Sequence, residues 1–168
     1  MKKIVLISIL SLLLNCERDD ICAEATPTTP NALVEFYDVG NPETLKSVTG
    51  LYIIGDGVDT PIPDANNVAS SSIRIPLRTD QESTTFFFYS DIEFDDDGNI
   101  IAGNMDTVVF SYETVEQYVS RACGFKTIFT GFSIDVVDDG DNWIQTTLFV
   151  ADNQTIENEN QAHIHFRH

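Results

Sequence analysis

The sequence predicts an all-β protein, specifically an immunoglobulin-like β-sandwich of about eight strands. Short runs of β-branched and aromatic residues recur at fairly regular spacing, and clusters of Gly, Pro, Asn and Asp separate them. No long stretch shows the 3.6-residue periodicity of an amphipathic helix. The 168 residues include 42% hydrophobic residues and 11 Phe, which is enough apolar material for the core of one domain.

The strands are assigned from these runs in chain order. They are Leu33–Val39, Val48–Ile54, Ile73–Arg78, Thr84–Phe94, Asp106–Tyr112, Phe125–Val137, Trp143–Val150 and Gln161–Arg167. Pro76 indicates an edge strand, because proline lacks the N–H that a central strand donates to its neighbour.

The connections are predicted from their turn-forming residues. Residues 58–72 are rich in Pro, Asn and Ser and are expected to form a loop. Asp95–Asn99 is expected to be a turn, and Asp138–Asn142 to close a hairpin. Glu113–Tyr118 could form one helical turn.

Residues 1–15 have the composition of an export signal. Lys2 and Lys3 form a basic start, and Ile4–Leu14 is an apolar run. This run is shorter than the about 20 residues needed to span a bilayer. Leu13–Cys16 resembles the lipobox of bacterial lipoproteins, whose cysteine is lipidated and becomes the first residue of the mature chain. The predicted parts are a cleaved signal peptide, a lipidated tether and a β-sandwich domain, over residues 1–15, 16–31 and 32–168.

The three cysteines divide unevenly between these parts. If Cys16 carries the lipid, Cys22 and Cys123 remain, and an oxidising envelope compartment favours a disulfide between them. Two buried free thiols are the alternative. A bridge would close a loop of about 100 residues, which contributes about 4.7 kcal/mol in the chain-entropy model.

The segment after Cys16 bears on localisation. Glu17–Asp20 resembles the signal that directs Bacteroidetes lipoproteins to the cell surface, although a generic polar spacer has the same composition. We expect an outer-membrane protein that faces outward. If Cys22 is bridged to the domain, six residues of chain separate the lipid from a fixed point, a reach of about 20 Å at most.

The net charge restricts the partners. The formal charge is −18, and residues 1–15 hold two of the nine Lys+Arg and none of the 27 Asp+Glu. The mature chain therefore has seven basic residues against 27 acidic ones, a charge of −20. This balance argues against nucleic acid as a partner, because nucleic acid selects basic surfaces.

Two groups of residues are candidate metal ligands. Asp95, Asp97, Asp139 and Asp141 supply the oxygens that calcium prefers, although neither acidic segment completes an EF-hand pattern and Asp-Gly is also ordinary turn chemistry. His163 and His165 would point to one face of the last strand. With Ile164 and Phe166 on the opposite face, the histidines are most simply its solvent-facing residues.

The sequence contains no nucleophile elbow, phosphate-binding glycine loop or metalloprotease helix. We therefore expect a protein that is not an enzyme and that holds no cofactor beyond the covalent lipid, calcium remaining an open possibility.

Five segments together resemble an uncharacterised family of Bacteroidetes (flavobacterial-type) lipoproteins, a domain of unknown function. They are Cys16–Cys22, Thr26–Pro30, Val34–Asp38, Tyr118–Lys126 and Glu157–His163. The resemblance implies a lipid on Cys16, a Cys22–Cys123 bridge and an envelope protein as partner. The expected function is a non-enzymatic binding or accessory module for an outer-membrane partner. The alternative is a calcium-dependent surface protein that binds or processes glycans.

Overall fold

The computed structural model describes residues 21–150 and 154–168, in which nine β-strands and no α-helix are found. The strands are β1 (Ala32–Tyr37), β2 (Val48–Gly55), β3 (Pro61–Ser70), β4 (Ser72–Ile75), β5 (Ser83–Phe94), β6 (Ile100–Ser120), β7 (Gly124–Val136), β8 (Thr146–Phe149) and β9 (Ile164–Arg167). The predicted all-β class is confirmed. The predicted leader, the lipid site at Cys16 and the segment Glu17–Asp20 lie outside the described residues.

The strands form two sheets, of the orders β4-β1-β9-β8 and β3-β2-β5-β6-β7. All neighbouring strands of the five-stranded sheet are antiparallel. In the four-stranded sheet β1 and β9 are parallel, with Val34 opposite Ile164, so the first and last strands lie side by side. The two ends of the described chain are therefore joined through one sheet.

The hydrophobic core lies between the two sheets. Along β1, Ala32, Val34 and Phe36 are buried while the residues between them are partly exposed, which is the alternation of a half-buried strand. Rings from the two sheets meet in the core, where the centroids of Phe88 and Phe166 are 5.7 Å apart. The predicted sandwich is confirmed.

The expected loop over residues 58–72 is wrong, because most of it forms β3 at the edge of the five-stranded sheet. Ile62 and Ala65 are the buried side chains of β3, so no regular alternation marks it in the sequence. Its register against β2 shifts at several points. An edge strand tolerates the two prolines of β3, because their missing N–H groups can face away from the sheet.

The expected hairpin at Asp138–Asn142 is also wrong. The chain leaves the five-stranded sheet when β7 ends at Val136, and it enters the other sheet when β8 begins at Thr146. The Asp and Gly residues make a turn as expected, but the strands on its two sides belong to different sheets. By contrast, Asp95–Asn99 joins the antiparallel neighbours β5 and β6 as predicted.

The 21-residue strand β6 pairs with its two neighbours over different lengths. Its pairing with β5 ends at Ser111 opposite Ser83, whereas its pairing with β7 continues to Ser120 opposite Gly124. The segment Glu113–Tyr118 is therefore part of a two-stranded ribbon, and the expected helical turn is wrong. The ribbon extends beyond Ser83, the residue at which β5 begins.

The ribbon gives the sandwich two different ends. The disulfide end consists of the β6–β7 turn, residues 120–124, and the N-terminal segment 21–31 that is bonded to it. The acidic end consists of the turns 95–99 and 138–142, which flank the start of β6. On β6, Asn104 Nδ2 donates to the Asp141 carbonyl oxygen at 2.7 Å.

Candidate functional site

The disulfide end is the candidate functional site, because it holds the chain that leads to Cys16. Cys22 and Cys123 form a disulfide with their Cα atoms 4.9 Å apart, across 101 residues of sequence. The predicted pairing is therefore present. It joins the N-terminal segment to the turn of the projecting ribbon, unlike the bridge of antibody domains, which links two facing sheets.

The N-terminal segment 22–31 is also fixed by hydrogen bonds. The backbone N–H of Thr127 on β7 donates to Thr29 Oγ1 at 2.9 Å. The backbone N–H and the side-chain Nδ2 of Asn31 both donate to Glu159 Oε1, at 2.7 and 2.9 Å. This part of the predicted tether lies against the domain.

Glu159 links the N-terminal segment to β4. Besides the two bonds from Asn31, its Oε2 accepts a bond from Arg74 Nε on β4 at 2.9 Å. Burial alone would raise the pKa of Glu159, but the hydrogen bonds from Asn31 and Arg74 outweigh it and hold the pKa below its usual range. Both oxygens of this carboxylate are therefore occupied by partners within the protein.

His163 is buried, so the expectation that it faces solvent is wrong. Its Nδ1 accepts a hydrogen bond from the Leu33 N–H at 2.9 Å, which satisfies a donor at the start of β1. Burial lowers the pKa of His163, and a hydrogen bond to the backbone of Asn158 opposes that effect only in part. The side chain therefore acts as a neutral acceptor that joins the start of β1 to the start of β9.

His165 has a different environment from His163. Its ring centroid lies 4.4 Å from that of Tyr37, and its Nε2 is 3.6 Å from Glu35 Oε2. Burial lowers the pKa of His165, although the charge of Glu35 opposes the shift. Across residues 21–150 and 154–168, no three His, Cys, Asp or Glu side chains form a cluster that could hold a metal ion.

At the acidic end, the four candidate aspartates take part in turns. Asp95 Oδ1 accepts bonds from the backbone N–H groups of Asp97 and Asn99, at 3.0 and 2.8 Å. The Asn99 side chain and backbone, in that order, lower the pKa of Asp95 most. In the second turn, the Asp141 N–H donates to Asp139 Oδ1 at 3.2 Å.

Asp106 is a buried acid whose role the sequence analysis missed. Its side chain has no exposed surface, and its two oxygens accept the N–H groups of Trp143 at 3.2 Å and Ile144 at 2.7 Å. Burial raises the pKa of Asp106, and these two bonds oppose the shift. The carboxylate thus holds the crossing between the sheets. A signal was present, because Asp106 falls on the same inward face of β6 as Val108 and Phe110.

The ribbon also carries exposed apolar side chains that the sequence analysis did not single out. Tyr118 and Phe125 lie opposite each other, are 60% and 62% exposed, and have ring centroids 5.4 Å apart. Ile21, next to the disulfide, is 81% exposed. Ile21, Tyr118 and Arg121 line one shallow hollow of about 450 Å³ together with Cys123.

A cleft of about 500 Å³ opens where β5 begins, at the base of the ribbon. It lies between the β2–β3 turn and residues 76–86, and Ile62, Phe86 and the exposed Val58 line it. One wall is fixed by the Tyr112 hydroxyl, which donates to the Arg78 carbonyl at 2.8 Å. The lining also includes polar side chains such as Gln81 and Thr85, and a concave site that combines apolar surface with polar groups can bind a ligand.

The comparisons with known proteins identify a family and no activity. A family of unknown function, DUF6452, matches residues 50–168. No curated protein and no solved structure matches the chain. None of the described segments is a helix long and apolar enough to cross a membrane. Because the match covers more than half of the sequence, the chain belongs to the family of unknown function DUF6452.

Proposed function

We propose that this protein is a lipoprotein of the outer membrane, anchored by a lipid on Cys16 and facing the cell surface. There it serves as a non-enzymatic binding or accessory module for an outer-membrane protein. The observation that carries the proposal is the Cys22–Cys123 bridge, which fixes the chain six residues after Cys16. The resemblance of residues 13–22 to lipoproteins of Bacteroidetes supports the same anchor.

The bridge determines what the anchored domain can reach. Six residues span about 20 Å at most, so a domain fixed at Cys22 stays close to the membrane. The cleft at the base of the ribbon lies at the same end of the five-stranded sheet. We propose that a segment of a neighbouring envelope protein binds in this cleft.

The anchor is tested by the intact mass of the protein purified from its native membrane, before and after reduction. The expected mass is that of residues 16–168 plus a lipid, with a gain of two hydrogens on reduction for the single disulfide. Cys16→Ala is the control, in which processing and lipid are lost together. An unlipidated wild-type chain with three free thiols would overturn the proposal.

The partner is tested by photo-crosslinking in intact cells. A crosslinking residue at Val58, on the rim of the cleft, is compared with one at Ile101, which is similarly exposed but lies near the acidic end. We expect one envelope protein to be trapped from position 58 and not from position 101. The same products from both positions, or none from either, would argue against the cleft as the binding site.

A further inference from the structure

The turn of the β6–β7 ribbon presents apolar groups around the disulfide. Ile21, Tyr118 and Phe125 are each more than half exposed, and the paired rings lie on the part of the ribbon that β5 does not cover. Such grouped apolar side chains are unusual on a soluble surface and indicate contact with a partner. A partner that covers them must lie close to the ribbon turn.

The length of chain between Cys16 and the bridge limits the distance from the ribbon turn to a lipid anchor. Residue 21 is next to the bridge, and Cys16 is six residues before Cys22. A lipid on Cys16 would place a bilayer within about 20 Å of Cys22, which is bonded to the turn between the two strands that carry the exposed rings. No other partner has its distance set by the covalent chain itself.

We infer that the ribbon turn is a membrane-contact surface, on which Tyr118, Phe125 and Ile21 enter the interfacial layer of the bilayer. This inference rests on the proposed lipid anchor and adds to it a defined orientation of the domain on the membrane. The amphipathic ring of Tyr118 suits the depth of lipid headgroups. The guanidinium of Arg121, in the turn itself, suits their phosphates.

The acidic turn 138–142 lies far along β6 from this surface, and a lysine lies beside the surface. Lys126 lies on the ribbon beside Phe125, with its Nζ 2.8 Å from the Glu157 carbonyl oxygen. Counted along the chain from Cys22, Asp20, Glu24 and Asp19 are the nearest acids, and Glu116 is the acid of β6 nearest to the turn. The turn 138–142 is bonded to Asn104, 16 residues before Ser120 on the same strand, which is about 50 Å of extended chain. That separation far exceeds a Debye length of about 8 Å, so these acids do not repel the membrane at the ribbon.

The test places a tryptophan at each end of β6. Tyr118→Trp and the matched Ile101→Trp are purified from the native membrane and reconstituted into phosphatidylcholine vesicles with brominated acyl chains, which quench nearby tryptophan. Trp143, the single native tryptophan, gives a background common to both variants. Tyr118→Trp should lose about half of the emission that its new tryptophan adds, because that ring lies in the interface. Ile101→Trp should lose none.

The intact mass of each sample separates the possible failures. A lipidated Tyr118→Trp protein with no more quenching than Ile101→Trp would overturn the membrane contact and leave the anchor intact. Equal quenching at both positions would overturn it as well. An unlipidated mass would overturn the anchor and the inference together. Phe125→Trp, on the opposite strand, is a second reporter that should be quenched like Tyr118→Trp, so that the contact is still tested if one of the two substitutions disturbs the ribbon.

Discussion

The two ends of the sandwich share the strand β6 but are held by different chemistry. At the disulfide end, a covalent bond fixes the N-terminal segment to a ribbon whose apolar side chains are exposed. At the acidic end, the buried carboxylate of Asp106 holds the crossing between the sheets, and aspartates form the turns. A ribbon that projects beyond its supporting strand has little core to hold it, so a covalent bond suits it. The acidic end lies on the core and can be held by hydrogen bonds.

Removing the bridge should produce the largest effect. Cys22→Ser/Cys123→Ser removes a bond between residues that are 101 positions apart in the sequence. The free energy of unfolding should fall by about 2–5 kcal/mol. Urea unfolding measures the loss. Ser133→Ala, an exposed substitution on β7 away from the bridge, is the control and should leave stability unchanged. A loss no greater than in the control would mean that hydrogen bonds alone hold the disulfide end.

Asp106→Asn should produce the second largest effect. The amide keeps one acceptor oxygen, so one of the N–H groups of Trp143 and Ile144 loses its partner in a buried site. An unsatisfied buried donor costs about 1–3 kcal/mol, and the loss of a charged acceptor adds to it. Asp135→Asn, on the exposed face of β7, is the control and should change stability little. Equal urea midpoints for the two variants would remove Asp106 from its proposed role.

His163 should make the pairing of β1 with β9 sensitive to acid, with a smaller and gradual effect on stability. Its pKa is lowered in the folded protein, so as pH falls below about 6.5 the unfolded chain binds the proton first. Stability is therefore full above that value and is lost as pH falls through the folded pKa. His163→Gln, whose amide oxygen can accept the Leu33 N–H, should unfold with a weaker pH dependence between about pH 7 and pH 5. Burial also lowers the pKa of His168, so His168→Gln should remove only the share of the pH dependence that His168 contributes and leave the share of His163. Parallel curves for wild type and His163→Gln would contradict the assignment.

The strands with dense apolar patterns could be predicted from sequence, and the irregular ones could not. Runs such as Thr84–Phe94 are β-branched and aromatic along their whole length, so their type and approximate ends were correct. β3 was not predicted, because an edge strand with only two buried side chains shows no alternation of apolar and polar residues. The crossing from β7 to the other sheet was not predicted, because an Asp-Gly turn can lead either into a hairpin or into a strand of another sheet. The choice depends on the distant carboxylate of Asp106.

In the candidate site, too, some features could be predicted from the sequence and others could not. The Cys22–Cys123 bond could be predicted from the number of cysteines once the lipobox resemblance assigned Cys16 to the lipid, with two free thiols as the alternative. The burial of His163 depended on an unpaired N–H at Leu33, 130 residues away, which no local pattern reveals. Tyr118 and Phe125 are exposed because β5 begins at Ser83 and does not cover the ribbon. That is a property of the pairing register rather than of composition.

The smallest expected effect concerns calcium at the acidic end. Asp95 already accepts bonds from the Asp97 and Asn99 N–H groups and from the Asn99 side chain, so its oxygens are occupied without a metal. Millimolar calcium should therefore shift the melting temperature of wild type no more than that of Asp95→Asn/Asp139→Asn, whereas a ligand bound only to the folded state would raise it. A rise confined to wild type would restore the calcium-dependent glycan alternative. It would also place a calcium site at the acidic end, as that alternative requires.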